Sequence, residues 1–349
     1  MSPDSRSLAD RVGAPISVRE PRHPDVAQWR AVTPADIDAL MVLHAACDSV
    51  DSPTSRTARH DVEYLFSDPQ SIDPARDTLI GVDADGLVIA SGTAITHPDR
   101  STEIFVHLKG RVHPRMRRRG IGQVLGNWEL DRAQQALAET GVDLPGAILL
   151  YAAEDDIGAK TIAQNLGLQP ERWFTAMVCD LSVPIPDPPE LPDGISVVPC
   201  GPELSEGARR ARNDSFRDHW GSLATSPAQW EHQLDSPYFR PDLSWVAVDA
   251  NSATDESVAA FAMGFAYRQN WVHQGYSSVY IDLIGVRRAW RGRKLAIAVI
   301  GALLRAAADA GLDKATLDVD ADNPSGAQHM YASLGFTPTD QEVVLVARY

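Results

Sequence analysis

The chain writes one short phrase twice, and that duplication limits its architecture more than any other feature. Residues 115–122 read RMRRRGIG and residues 289–296 read AWRGRKLA. Each follows an apolar run, is loaded with arginine and opens an Ala/Leu-rich stretch. Two further pairs keep the same order: LIGVDADG (79–86) with WVAVDANS (245–252), and NLGL (165–168) with SLGF (333–336). The basic phrases lie 174 residues apart and the flanking pairs 166 and 168. Three ordered matches at nearly one spacing imply a duplicated unit. Their period is too long for a solenoid, whose repeats run about 20–50 residues. The 349 residues therefore read as two sequential globular units.

A seam is visible between them. DLSVPIPDPPELPDG (180–194) carries five prolines and little that could pack, as an extended linker does. The expected layout is a disordered start over residues 1–12, a first unit over 13–187 and a second over 188–349. Within the first, WRAV reads as a strand, Thr33-Pro34 as a helix start, residues 78–95 as a hairpin turned at Asp85-Gly86, and 103–112 as a strand. A helix from Gly120 to Gly141, the strand AILLYAAE and a helix ending at Gly167 come next. The second unit repeats this order with ISVVP, a helix through ARRARNDSF, SWVAVDA with VAAFAMGFAY, VYIDLIGV, a helix ending at Gly311, KATLDVDA and SGAQHMYASLG. Hairpins come first and helices cover the later strands, so the expected class is α+β, each unit a mixed, mostly antiparallel sheet flanked by helices.

Composition narrows the function. A formal charge of −15 would repel a phosphate backbone and argues against nucleic acid as partner, while mildly favouring cationic or neutral small substrates. The most apolar run, LAIAVIGALL, closes at Arg305 and is too short to span a bilayer, so no membrane partner is expected. The amino terminus lacks the apolar core of a signal peptide. Cys47, Cys179 and Cys200 are odd in number and without metal-ligand spacing. These features set the expectation of a cytoplasmic monomer or homodimer with no metal.

A strand ending in a turn that leads into a helix is an anion site, because the first helical amides have no partner inside the helix and the dipole adds about half a positive charge there. Neither a GxxxxGK[ST] loop nor a GxGxxG fingerprint is present at either turn. VHPRMRRRGIG (112–122) and VRRAWRGRKLA (286–296) instead resemble motif A of the GNAT acetyltransferases, and VDADNPSGAQHMYASLGF (319–336) resembles the segment after that superfamily's fifth strand. Both halves share the resemblance, which implies a tandem GNAT protein using acetyl-CoA to acetylate an amine of a small molecule.

By that resemblance, Arg117, Arg118, Arg119, Gly120, Ile121 and Gly122 line one pyrophosphate site. Val286, Arg291, Gly292, Arg293, Lys294, Leu295 and Ala296 line the other, with Asn323 beside it. Lys294 stands where the motif has glycine, and ordinary right-handed angles are expected for it, since the donors are main-chain amides. Tyr331 has Ala163 as its first-half counterpart, and Asn323 has Asp155. The resemblance gives Tyr331 the coenzyme sulfur and a carboxylate base to the strand before motif A. There, Tyr280, Asp282 and Ile284 are expected to alternate onto one face, and the first half has Val106, Leu108 and Gly110 at the equivalent places, without a proton acceptor. Tyr331 and Asp282 are thus the expected catalytic pair, with Asp318 and Asp320 as alternative bases and the C-terminal half as the enzyme. A tyrosine of ordinary pKa near ~10 cannot fully protonate a thiolate near ~8.5, so hydrogen bonding is its expected role. Asp218, His219 and Trp220 are expected to contact the acceptor. Two other readings compete: catalysis in the N-terminal half, or a non-catalytic coenzyme-binding protein.

Overall fold

A computed structural model of the chain describes residues 6–52, 54–67, 71–96, 102–217, 224–252, 254–321 and 326–349. It resolves into two compact units. The first comprises residues 1–172 and 342–349, the second 173–341. The second is a single run of chain, whereas the first takes its last strand from the far end of the sequence.

In the first unit, β1 (Gln28–Arg30), β2 (Thr78–Val82), β3 (Val88–Thr96), β4 (Ile104–Leu108) and β6 (Gly146–Ala153) lie side by side in that order. The short β5 (Arg111–Val112) also pairs β3, and β4 with β6 is the parallel pair. Beyond β6, residues 342–348 add an antiparallel strand. Helix α1 (Ile37–Asp51) follows a turn at Pro34–Asp36, where Thr33 and Asp36 form a capping box with proline at its first position. It covers one face, over Leu40, Leu43, Cys47, Ile80 and Val88. Helix α2 (Ile121–Glu139) covers the other, over Leu79, Ile89, Leu125 and Trp128. Gly122 and Gly126 of α2 are where α3 (Ile157–Asn165) and the residues after it approach. A Cβ on them would meet Ile162 at 2.9 and 3.1 Å.

The second unit repeats the plan. Its order is β8 (Ile195–Pro199), β9 (Phe239–Asp249), β10 (Val258–Phe265), β11 (Ser278–Val286), β12 (Lys314–Asp320). The parallel pair is again the fourth with the fifth. The last antiparallel strand is supplied by residues 174–180 of β7 (Gln169–Asp180), a strand that comes after α3 in sequence. The strand β13 (Phe336–Arg348) starts in the second unit, where Thr337 and Thr339 donate to the Val178 and Ala176 carbonyls, and ends in the first. Helix α4 (Ser205–Ser215) and α5 (Pro227–Leu234) cover one face over Val246, Phe261, Met263 and Phe265. On the other, α6 (Leu295–Asp309) presents Leu295, Ala298, Val299, Leu303 and Ala307, the spacing of a core-facing stripe. Truncating a side chain such as Leu303 to Ala costs about 2–5 kcal/mol. Helix α7 (Ala327–Ser333) packs on that core. The duplicated, mixed-sheet architecture read from the sequence is what the chain folds into.

Candidate active site

Both basic phrases fold into a loop with two left-handed residues, two positions apart. In the first copy these are Arg118 (φ 61°) and Gly120 (φ 96°), and in the second Gly292 (φ 76°) and Lys294 (φ 59°). Each loop places its glycine at one such position and a long cation at the other. This corrects the right-handed geometry expected for Lys294. The turn needs φ above zero there, and a non-glycine residue pays roughly 1–2 kcal/mol for it. Gly120 and Lys294 are the caps of α2 and α6, and neither helix has a side-chain cap. The first intrahelical bonds run from Val124 to Gly120 and from Ala298 to Lys294. The amides of residues 121–123 and 295–297 therefore precede any helical acceptor and are suited to an anion.

The two loops differ in charge compensation. Arg117 makes a two-pronged ion pair with Asp51 at the end of α1 (2.6 and 2.6 Å) and donates to the Val112 carbonyl. Asp51 holds its guanidinium well above the usual arginine pKa. Arg119 lies 3.5 Å from Asp25, and His23 reaches its carbonyl. In the second copy Arg291 instead donates to the carbonyl of Ser215, the last residue of α4. Arg293 stacks on Trp290 (4.6 Å), and Lys294 is exposed. Among the described residues no carboxylate pairs with Arg291, Arg293 or Lys294. Uncapped amides beside uncompensated cations fit a diphosphate, and the second loop fits it better.

The strand leading into that loop carries the second feature. β11 pairs β12 only from Ser278–Lys314 to Tyr280–Thr316, although the strands run on to Val286 and Asp320. Past that point their facing edges carry no described hydrogen bonds to one another, a place where an extended ligand can add its own. At the same level the β10–β11 register shifts: Met263 pairs Leu283 but Gly264 pairs Ile281. Asp282 is the extra residue of a β-bulge, a device that re-aims one side chain.

The bulge overturns the expected alternation. Tyr280 and Leu283 face the α4–α5 side, opposite Phe265 and Met263, while Ile281 and Ile284 join the core under α6. Tyr280 and Ile284 are thus on opposite faces. The first unit has no such shift, since Thr96 pairs Val106 and Ala90 pairs Val112 in one unbroken register. Discounting the extra residue, the position matching Tyr280 is His107, not Val106, and nothing matches Asp282. His107 stacks on Tyr151 (5.8 Å, 19°). Sequence spacing alone could not find it, because a one-residue bulge is invisible without the register.

Asp282 is reached by solvent yet has protein around most of it, as a cleft wall does. Gln233 of α5 donates to its Oδ2 at 2.8 Å. Burial and the charge of Asp318 push the carboxyl pKa up, and the Gln233 bond and Arg212 oppose this. Tyr280 donates to Asp318 Oδ2 at 2.8 Å. Burial raises Asp318 as well and holds the Tyr280 phenol well above its ordinary value. Tyr267 lies 6.1 Å from Tyr280, and Tyr238 4.8 Å from Tyr267. No motif in the sequence singles out Gln233, but a signal for it exists: the capping box at Ser226 and Gln229 fixes the start of α5, so Trp230 and Gln233 share a face. Trp230 is core, its indole donating to Ser205. Asp320 is buried behind Asp318 in sequence.

Tyr331 approaches from the other face. Its ring is 8% exposed, edge-on to Phe336 at 5.9 Å, within the core under α6. Burial pushes its phenol up to about 12. Val286 ends β11 against the same core, and Leu295 is buried while Ala296 is half-exposed. In the first unit Ala163 is fully buried, without any polar group to offer. Asp218, His219, Trp220 and Asn323 lie outside the described residues.

Comparison with known proteins gives these features a family. The acetyltransferase (GNAT) family model matches residues 207–336, which lie in the second unit. A mycothiol acetyltransferase of Salinispora arenicola is 29% identical over 322 residues, covering 91% of this chain and 95% of that protein. One from Mycolicibacterium paratuberculosis is 30% identical over 241 residues, covering 65% and 69%. Among solved structures, a GCN5-related N-acetyltransferase from Sphaerobacter thermophilus is similar with a TM-score of 0.69, at 24% identity and 92% and 95% coverage. A tandem GNAT protein from the clavulanic acid biosynthesis pathway gives 0.65, at 18% identity and 92% and 98% coverage.

Proposed function

Because this chain belongs to the acetyltransferase (GNAT) family and is an N-acetyltransferase dependent on acetyl-CoA, we propose that its second unit performs the transfer, with a small-molecule amine as acceptor. The observation that carries this is the bulge at Asp282. It sets a carboxylate of raised pKa beside the open β11–β12 edge, in line with the helix start that suits a diphosphate.

The coenzyme supplies the activated acetyl group as a thioester. Residues 291–296 hold its diphosphate through the α6 amides, with Arg291, Arg293 and Lys294 adding charge. From Val286 back to Asp282 the strand spans about 13 Å, room for an extended arm along the free edge. Asp282 then takes a proton from the acceptor amine, directly or through a water. An ordinary carboxylate is a poor base for this, and a raised pKa moves it toward the working range. Its activity therefore requires the deprotonated form, and turnover rises with pH through that raised pKa. Tyr331, on the α6 side of the sheet, is the second group of this reading. With a pKa of about 12 it does not surrender its proton, so it stabilises the leaving sulfur by hydrogen bonding. The parts held in place are the carboxylate, the phenol and the amides; the C–N bond forms as the C–S bond breaks.

Steady-state rates of coenzyme thiol release over an amine panel test the assignment, using Asp282→Asn and Tyr331→Phe at saturating acetyl-CoA. Both variants lose turnover, Asp282→Asn more. Near-native rates in both overturn it.

A further inference from the structure

The acceptor side of the proposed site has an unusual balance of donors and acceptors. Asp282 and Asp318 stand at the mouth of the open β11–β12 edge, each on its own strand. Each is partnered by a neutral donor, Gln233 for Asp282 and Tyr280 for Asp318. Among the described residues neither carboxylate makes an ion pair. The cation whose field reaches Asp282 is Arg212, but its guanidinium donates to Asn213 and lies over the Phe216 ring at 5.3 Å.

Tyr280 sharpens this. Its one hydroxyl proton is committed to Asp318. What remains for a ligand is the phenol's lone pairs and ring face, continued by Tyr267 and Tyr238. Asp282, Asp318 and Tyr280 thus offer an incoming amine acceptor atoms, and the tyrosines add π faces. Two neighbouring carboxylates with only neutral partners leave a net negative charge that hydroxyl donors on a ligand would not remove. One ammonium does not suffice either, since the nitrogen that is acetylated must lose its charge to react.

With the second unit taken as the acetylating one, a reading on which this rests, we propose that Tyr280 and Asp318 are specificity-determining residues. They hold a second, permanently protonated amine of the acceptor, so that the preferred substrates are short di- or polyamines. Asp282 serves the reacting nitrogen, and Asp318, oriented by Tyr280, serves the one that stays charged. The tyrosine faces add cation–π attraction for the same group. The chain's formal charge of −15 concentrates such cations near its surface.

Initial rates with acetyl-CoA and three acceptors of equal length test this: putrescine, n-butylamine and the matching four-carbon amino alcohol. A charge-assisted hydrogen bond predicts kcat/KM for the diamine about tenfold to a hundredfold above the other two. Asp318→Asn keeps the shape and an acceptor for Tyr280 but removes the charge. It raises KM for the diamine by about tenfold and leaves the monoamine's KM within about twofold, while any change in kcat that follows from losing the charge that helps raise Asp282 is common to both. Tyr280→Phe shows the same split to a smaller degree. Equal rates with monoamine and diamine, an amino alcohol as good as the diamine, or a rise in KM in Asp318→Asn shared by all three acceptors overturn the proposal while leaving the acetyltransferase reading intact. Acetyl-CoA bound in calorimetry, with no amine of any kind acetylated by the native protein, overturns both. Circular dichroism of each variant keeps a folding failure from passing as a loss of selectivity.

Discussion

The two basic loops share a backbone and part ways in their neighbours, most plainly at the arginine that opens each. Arg117 and Arg291 occupy the same place, each beside the last residue of the helix packed across from it. In the first unit that residue is Asp51, whose carboxylate neutralises the arginine. In the second it is Ser215, whose carbonyl only orients it. One loop is closed into an ion pair, and in the other, among the described residues, the arginine meets no carboxylate. Glycine content, the more obvious motif feature, points the opposite way, since the first loop holds Gly120 and Gly122 where the second has Lys294 and Ala296. Yet Gly122 is explained by the close approach of Ile162. Charge compensation distinguishes the units better than glycine does.

The largest test compares the strands that feed the loops. Asp282→Asn lowers kcat by about 10²–10⁴, the usual contribution of general base catalysis, while His107→Ala in the first unit leaves it unchanged. The reverse result, read from the same steady-state rates, breaks the comparison and hands the chemistry to the first unit.

A second contrast lies one helix further on. Glu129 of α2 is 3% exposed and accepts from the Thr93 amide, whereas the same place in α6 holds the buried Leu303. Burial pushes the Glu129 pKa from 4.5 to about 8. The unfolded chain therefore releases this proton first. The contribution to stability is fully present below about 4.5 and is lost as pH rises through about 8, at about 1.4 kcal/mol per unit within that window. Chemical denaturation of Glu129→Gln at a series of pH values shows a flatter profile there than the native protein.

Smaller effects sharpen the loop comparison itself. Ser215→Asp recreates the Asp51 arrangement in the second unit and raises KM for acetyl-CoA by about tenfold, the worth of one charge-assisted contact. No change in KM means that Arg291 does not meet the diphosphate. Lys294→Gly relieves the left-handed residue and raises the unfolding free energy by about 1 kcal/mol, read from denaturant midpoints. A loss of stability instead means that the lysine side chain holds something the loop needs.

Periodicity and punctuation are enough to place the strands, the helices and the duplication, because each element announces itself locally: Thr33-Pro34 opens a turn, and Leu295 to Ala307 repeats at helical spacing. The site is legible in part. Asp282, Tyr331 and the two loops are marked by a resemblance, but their surroundings depend on contacts between distant segments. Asp51 and Ser215 meet their arginines across 66 and 76 residues, and Gln233 meets Asp282 across 49. The bulge is a register property of two strands together. The left-handed angle of Lys294 is hidden because the residue's own identity argues against it, and the turn imposes it regardless.

The shared strand β13 has its own bearing on how such a chain comes into being. Residues 342–348 supply the antiparallel partner of β6 in the first unit. During synthesis that edge emerges from the ribosome early and waits for nearly 200 further residues, at least about 10 s at ordinary elongation rates. The amino-terminal unit therefore cannot finish before residues 342–348 have been made, and a premature stop just ahead of them would leave it with an exposed, aggregation-prone edge.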